Sequence, residues 1–326
     1  MKILITGGAG FIGFHLAEAH RQRGDQVVIL DNLFKTDGRP DRDFEKLVAG
    51  AGVTYLAADL TKPLPDQGRE DFDVVYHLAA INGTRLFYEM PYQVARTNLL
   101  ITLNLLDWLE SRRIGRLLYA STSEVYAGCE QVGLLTIPTG EEVPVVFPQP
   151  TNVRFSYGTS KFMGEFLCLE FGKKAGVPVS VIRYHNIYGP RMGTKHVIPE
   201  FILRMHACEN PFKIYGGQET RAFCYVDDAV QATILVAAAS ACDGEIVHIG
   251  NQCEEVTIET LAALVMDQFG RRVAIKECGG RSGSVSRRCP DTSKLKRLTG
   301  FEARVPLKDG LARTAQWYLS HAGAPK

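Results

Sequence analysis

The stretch KILITGGAGFIG, residues 2–13, joins a short apolar run to a glycine turn and then to the start of a helical pattern. Ile3, Leu4 and Ile5 are consecutive and apolar, as in a strand buried on both faces. Gly7, Gly10 and Gly13 follow at the strand's end, with Phe11 and Ile12 between the last two. In a strand–turn–helix setting, such glycines permit a tight turn and a close approach to a pyrophosphate. The helix N-terminus then stabilises the phosphate charge. Asp31 closes the second apolar run, QVVIL (26–30), with Asn32 beside it. A carboxylate there accepts both ribose hydroxyls and repels a 2′-phosphate, which predicts NAD rather than NADP. Arg39 and Arg42 lie near enough to reverse that choice, or else belong to a solvated loop. A nucleotide-free glycine turn is the plainer alternative, and the strand–turn–helix context argues against it.

Outward from this turn, short apolar runs alternate with amphipathic stretches. VTYLAA (53–58), DVVYHLA (73–79), RLLYA (116–120) and VSVIRY (179–184) read as further strands, with helical patterns at 11–23, 94–111 and 155–173. Continuous apolar strands separated by helices imply an α/β fold, a Rossmann-type doubly wound parallel sheet covered on both faces. Residues 127–154 carry Pro138, Pro144, Pro148 and Pro150 and read as a long loop between strand and helix. After residue 184 the alternation stops. EIVHI (245–249) looks like a strand returning to the sheet, and helices near 257–269 and 307–320 belong to a smaller, interleaved C-terminal lobe. The division expected is 1–183, with a return strand near 224–250, and 184–326.

The 326 residues carry 37 Lys and Arg against 36 Asp and Glu, so no basic excess points to nucleic acid. No apolar run is long enough to span a bilayer, and KILIT begins a strand rather than a signal peptide. Eight cysteines are scattered without metal-ligand spacing, which favours reduced thiols in a cytoplasmic compartment and no metal site.

Tyr157 and Lys161 are spaced i and i+4 in YGTSK, on one face of a helix. A lysine ammonium near a tyrosine hydroxyl favours the phenolate, which takes a proton from an alcohol while its carbon gives hydride to a nicotinamide. The spacing alone occurs by chance in many helices. Combined with the glycine turn and the hydroxyl-rich strand end STSE (121–124), it becomes specific. Asp59, beside Leu60 in AADL, reads either as an adenine contact or as the cap of the next turn. Asn98 anchors the chain near the cofactor or simply faces solvent. His77 and His185 read as packed, satisfied histidines.

TGGAGFIG, HLAA, STSEVY, YGTSK, RYHNIYGPRM and TRAFCYVDDAV, in this order over nearly the whole chain, resemble the extended short-chain dehydrogenase/reductase family, which modifies nucleotide-linked sugars. The resemblance implies Tyr157 as base, Lys161 as its tuner and Thr122 as the hydroxyl at the sugar 4-position. It implies NAD held by Gly7, Gly10, Phe11, Ile12, Gly13, Asp31, Asn32, Asp59, Leu60 and Asn98. FSYGTSK lacks the proline often found just before the tyrosine. Asn186, Arg221 and Arg281 fall where the family touches the substrate diphosphate; each also admits a plain surface or ion-paired reading.

All such enzymes begin by oxidising C4 of the hexose. The dehydratase pattern Thr-Asp-Glu is here Thr122-Ser123-Glu124, which disfavours dehydration. STSEVY is similar to UDP-glucuronate decarboxylases, in which Arg154, three before the tyrosine, and Arg288, in SRRCPDTSK, also have counterparts. Ser123 is then placed to hold the sugar carboxylate, or it merely satisfies the strand end; Glu124 is placed to position the sugar and protonate C5, or it caps the next turn or pairs with a nearby arginine. INGTRLFYEMP (81–91) departs from the decarboxylase loop. The reading is therefore a UDP-hexuronate decarboxylase, with a nucleotide-sugar 4-epimerase and an NAD-sensing binding protein as alternatives. The apolar helices FMGEFLCLEF (162–171) and LLITLNLLDWL (99–109) suggest a homodimer interface, or deep burial.

Overall fold

The computed structural model describes residues 1–65, 70–279 and 285–321. The N-terminal part runs β1 (Lys2–Thr6), α1 (Phe11–Gln22), β2 (Gln26–Asp31), α2 (Arg42–Val48), β3 (Val53–Ala57), β4 (Val74–His77), α3 (Thr84–Glu89), α4 (Pro91–Leu109), β5 (Leu117–Thr122), α5 (Ala127–Gln131), α6 (Phe155–Ala175) and β6 (Val179–Tyr184). These strands form one parallel sheet in the order β6-β5-β4-β1-β2-β3, and the strand Ile246–Ile249 pairs with β6 at the outer edge. The return strand expected at 245–249 is thus in the sheet.

Side chains alternate across a strand, so each strand feeds two cores. Ile3, Ile5, Val27 and Ile29 pack on one face with Leu16 and Ala17 of α1 and with the helix Val226–Ala238. Leu4, Val28 and Leu30 pack on the other with Ile101 and Leu105 of α4 and Cys168 and Phe171 of α6. Burial on both faces explains the unbroken apolar runs; β3, at the edge, is the more exposed exception.

The segment expected to be a loop from 127 opens instead with α5, a single short helix that ends before Pro138. Beyond it the chain is irregular as far as α6, and it is anchored to the C-terminal lobe. Thr139 N–H donates to the Cys289 carbonyl at 2.8 Å, and Asp291 N–H donates to the Thr139 carbonyl at 2.7 Å. In that lobe the strand Thr220–Ala222 lies between Glu255–Thr257 and Arg287–Arg288, in a register that sets Arg288 opposite Arg221. The helices Ile258–Gln268 and Leu307–His321 match the two expected there. Among the described residues, no helix is long and apolar enough to cross a membrane.

Candidate active site

The C-terminal ends of β1, β2, β4 and β5 open on one side of the sheet, where a doubly wound fold places its ligand crevice. At the end of β1, Gly7 adopts φ +74°, a left-handed conformation that favours glycine. A Cβ on Gly13 would lie 2.2 Å from the Gly7 carbonyl oxygen, so α1 starts tightly against the turn only because position 13 is glycine. Gly10 precedes Phe11 and Ile12, the first residues of α1. Asp31 accepts the backbone N–H of Ala9 at 3.0 Å and of Leu33 at 2.8 Å, tying the glycine loop to the end of β2. Asn32 caps the next turn by accepting Phe34 N–H. A glycine cradle at a helix N-terminus, with a carboxylate fixed at its rim, fits the diphosphate and ribose of a dinucleotide.

The other cofactor candidates divide. Asn98 is buried rather than solvent-facing: it accepts Ile81 N–H at 2.8 Å and donates to the Ile81 carbonyl at 3.1 Å and to Ser160 Oγ at 3.2 Å. It locks the end of the β4 loop to α6. Asp59 accepts the Thr61 N–H and hydroxyl, which is the capping arrangement, while Leu60 is buried.

β5 ends in Ser121 and Thr122, and the chain tightens into a 3-10 turn at Ser123–Tyr126. The Thr122 side chain accepts Glu124 N–H at 3.2 Å, and Ser123 is buried. α6 carries Tyr157 and Lys161 into the same space, both nearly inaccessible to solvent. Phe87 of α3 stacks on the Tyr157 ring at 4.8 Å between centroids and 9° between planes.

The expected tuning of Tyr157 by Lys161 takes a different form. Burial pushes the phenol up and the Glu124 charge adds to this, while Thr122 and Asn82 pull it down. The Lys161 ammonium lies 4.2 Å from the Tyr119 ring centroid. Burial lowers its pKa to about 8, against the pull of Cys168 and Glu165.

Glu124 meets two guanidinium groups. Arg288 donates to Oε1 at 2.6 Å and Arg154 to Oε2 at 3.4 Å. Burial alone would raise this carboxyl, and the neighbouring arginines, Arg288 foremost, overcome it and hold it ionised. Arg221, beside Arg288 in register, pairs with Glu219 at 2.9 Å. Asn186, at φ +44°, donates to the Ala222 carbonyl and so braces the strand that carries Arg221. Arg281 lies outside the described residues.

Beneath the site is a network that the sequence reading missed. Arg183 of β6 and Glu165 of α6 form a fully buried ion pair, and Ser121 Oγ donates to the same carboxylate. Arg183 also donates to the Tyr126 hydroxyl, which pairs with His248. Glu165 lies four residues after Lys161 on α6, a spacing that could have flagged it. His77 is packed and satisfied by Thr6 and Thr102. His185 is packed but not satisfied: among the described residues, neither of its ring nitrogens has a hydrogen-bond partner.

The family profile of NAD dependent epimerase/dehydratases matches residues 3–250. The chain belongs to the NAD-dependent epimerase/dehydratase family. It is 35% identical over 328 residues to the UDP-N-acetyl-α-D-glucosaminuronate decarboxylase of Bacillus cytotoxicus, covering 97% of each chain. It is also 35% identical to UDP-glucuronic acid decarboxylase 1 of Xenopus tropicalis, covering 97% of this chain and 72% of the relative. Among solved structures, the UDP-glucuronic acid 4-epimerase of Bacillus cereus, in complex with UDP-glucuronic acid and NAD, superposes with a TM-score of 0.83 at 27% identity, over 98% of this chain and 99% of the other. An epimerase/dehydratase of this family is an NAD-dependent enzyme, and the glycine cradle and Asp31 fit that cofactor.

Proposed function

We propose that this chain removes the C6 carboxylate of a UDP-linked hexuronate through a 4-keto intermediate. The observation that carries the reading is the Glu124–Arg288 pair, joined by Arg154, on the turn that directly follows Thr122. It sets guanidinium charge and an ionised carboxylate beside the groups suited to C4 oxidation, where the carboxylate of a hexuronate would lie.

NAD supplies the hydride acceptor. Tyr157 takes the proton of the sugar 4-hydroxyl, with Thr122 orienting that hydroxyl and Lys161 holding positive charge one helical turn away. The C6 carboxylate is then β to a ketone, so the C5–C6 bond breaks with its electron pair moving into the C4–C5 enolate and carbon dioxide leaving. Arg288 and Ser123 hold the carboxylate, and Glu124 positions the sugar and relays a proton to C5. Arg221, with Asn186 bracing its strand, binds the substrate diphosphate, a role for which guanidinium geometry is suited. Arg281 is proposed to do the same.

The second reading, a nucleotide-sugar 4-epimerase, uses the same Thr122, Tyr157 and Lys161 and is favoured by the likeness to the Bacillus cereus epimerase. Product mass from UDP-glucuronate and from UDP-N-acetylglucosaminuronate separates the two. Loss of one carbon dioxide from either supports decarboxylation; a new stereoisomer of unchanged mass ends it. Tyr157→Phe lowers either turnover at least about 100-fold with the fold intact, and retained activity would refute the assigned base.

The proposed assembly is a homodimer through α4 and α6, supported by the exposed Leu103, Phe162, Met163 and Phe166 on those helices. The proposed compartment is the reducing cytoplasm, supported by eight free cysteines.

A further inference from the structure

The stretch GPRM, residues 189–192, runs from the proposed diphosphate-binding groups to the glycine turn. Just before it, Asn186 donates to the Ala222 carbonyl, and the strand Ile187–Tyr188 pairs in parallel with Cys224–Tyr225. Both contacts fasten this stretch to the strand that carries Arg221. Gly189 then packs on the start of the helix Val226–Ala238, where a Cβ would lie 2.6 Å from Val226 Cγ1.

Arg191 ends this path at the cofactor cradle. Its guanidinium donates to the Ala9 carbonyl at 3.2 Å and to Asp41 Oδ1 at 2.5 Å, and lies 4.0 Å from the Phe14 ring centroid. Ala9 is thus gripped on both sides, its N–H by Asp31 and its carbonyl by Arg191. Asp41 also accepts the N–H groups of Asp43 and Phe44, so one guanidinium fastens the glycine turn, α1 and the start of α2. Its chain neighbours are held as well. His15 of α1 donates to the Pro190 carbonyl at 3.0 Å, and the Tyr318 hydroxyl donates to the Met192 carbonyl. The Arg191 side chain is only 7% exposed, and its backbone sits at φ +67°, a left-handed conformation that disfavours any residue with a Cβ. Strain of that kind persists where the surroundings over-determine it.

We propose that Arg191 couples occupancy of the nucleotide-sugar site to retention of NAD. A diphosphate drawn against Asn186 and Arg221 fixes the 186–191 segment, and Arg191 then holds the glycine turn closed on the cofactor. Arg191 is a positioning residue, and Asp41 is its anchor. The inference rests on Asn186 and Arg221 being diphosphate ligands and is independent of which sugar reacts. Such coupling keeps the cofactor in place for as long as a 4-keto intermediate occupies the site.

The test follows release of isotopically labelled NAD from the full-length protein, chased with unlabelled NAD, with and without saturating UDP. Calorimetry follows UDP binding separately. In the wild type UDP should slow NAD release about tenfold. In Arg191→Met release should be faster and the UDP effect should vanish, although UDP still binds. Asp41→Ser keeps a side-chain cap for α2 but loses the carboxylate, and should shrink the UDP effect in the same direction. A general loosening would speed release by the same factor with and without UDP, which overturns the coupling. A wild-type release rate that UDP leaves unchanged overturns it too. Should Arg191→Met fail to fold, an undiminished UDP effect in Asp41→Ser has the same force. Failure of the wild type to bind UDP at all would instead overturn the assignment of Asn186 and Arg221, and the coupling with it.

Discussion

Lys161 is the residue at which the cost of burying a charge in the candidate site is most open to measurement. Its pKa falls from 10.5 in an ordinary lysine to about 8 because the ammonium is buried. The unfolded chain therefore holds more protons between those two values. Stability of the wild type relative to Lys161→Met should rise with pH across that window, by about 3 kcal/mol, and be flat below it. Paired urea titrations at pH 7 and pH 10 check this, and a difference independent of pH contradicts it. Tyr157 and Lys161 were legible in the sequence because i, i+4 spacing on a helix states that two side chains share a face. The spacing carries no information on where the ammonium ends. Tyr119, on a strand 38 positions from Tyr157, decides that, and only the assembled sheet brings it there. Glu124 was legible as a carboxylate at the strand end with a nearby arginine as one partner; that Arg288 is a partner needed the C-terminal lobe in place, and Arg154 reaches it from the residue before α6.

At the scale of elements, the glycine turn and the buried strands were readable because each follows from local sterics or from burial on both faces. Gly13→Ala tests the turn: its methyl would meet a backbone carbonyl at 2.2 Å, which cannot yield without moving α1. NAD affinity, measured by calorimetry, should fall more than about tenfold, or 1.4 kcal/mol, and unchanged affinity would show that the cradle tolerates a side chain. α3 escaped the sequence reading because six residues are too few to display a period. The Arg183–Glu165 pair escaped it because an arginine inside an apolar strand, VSVIRY, has no sequence signal for its partner. Glu165→Gln strands a buried guanidinium and should lower unfolding free energy by about 3–5 kcal/mol. A urea midpoint equal to that of the wild type would mean that Arg183 finds other compensation.

For the whole molecule, the parallel sheet was readable from the alternation of strands and helices, and the returning strand Ile246–Ile249 from its apolar run. The joining of the lobes was not, since Thr139 and the Cys289–Asp291 segment meet through backbone hydrogen bonds that any sequence can make. The proposed dimer belongs to this scale. Phe166→Glu places a charge at the centre of the exposed apolar face of α6, and light scattering should then report a monomer where the wild type is dimeric; two dimers would move the interface elsewhere. The central claim, decarboxylation through a C4 ketone, is tested most directly with UDP-glucuronate labelled with carbon-13 at C6, incubated with the protein and NAD in deuterated water. Decarboxylation releases one labelled carbon dioxide per product and leaves one deuterium at C5 of the pentose. A product that keeps the label at C6 and carries no deuterium would contradict it.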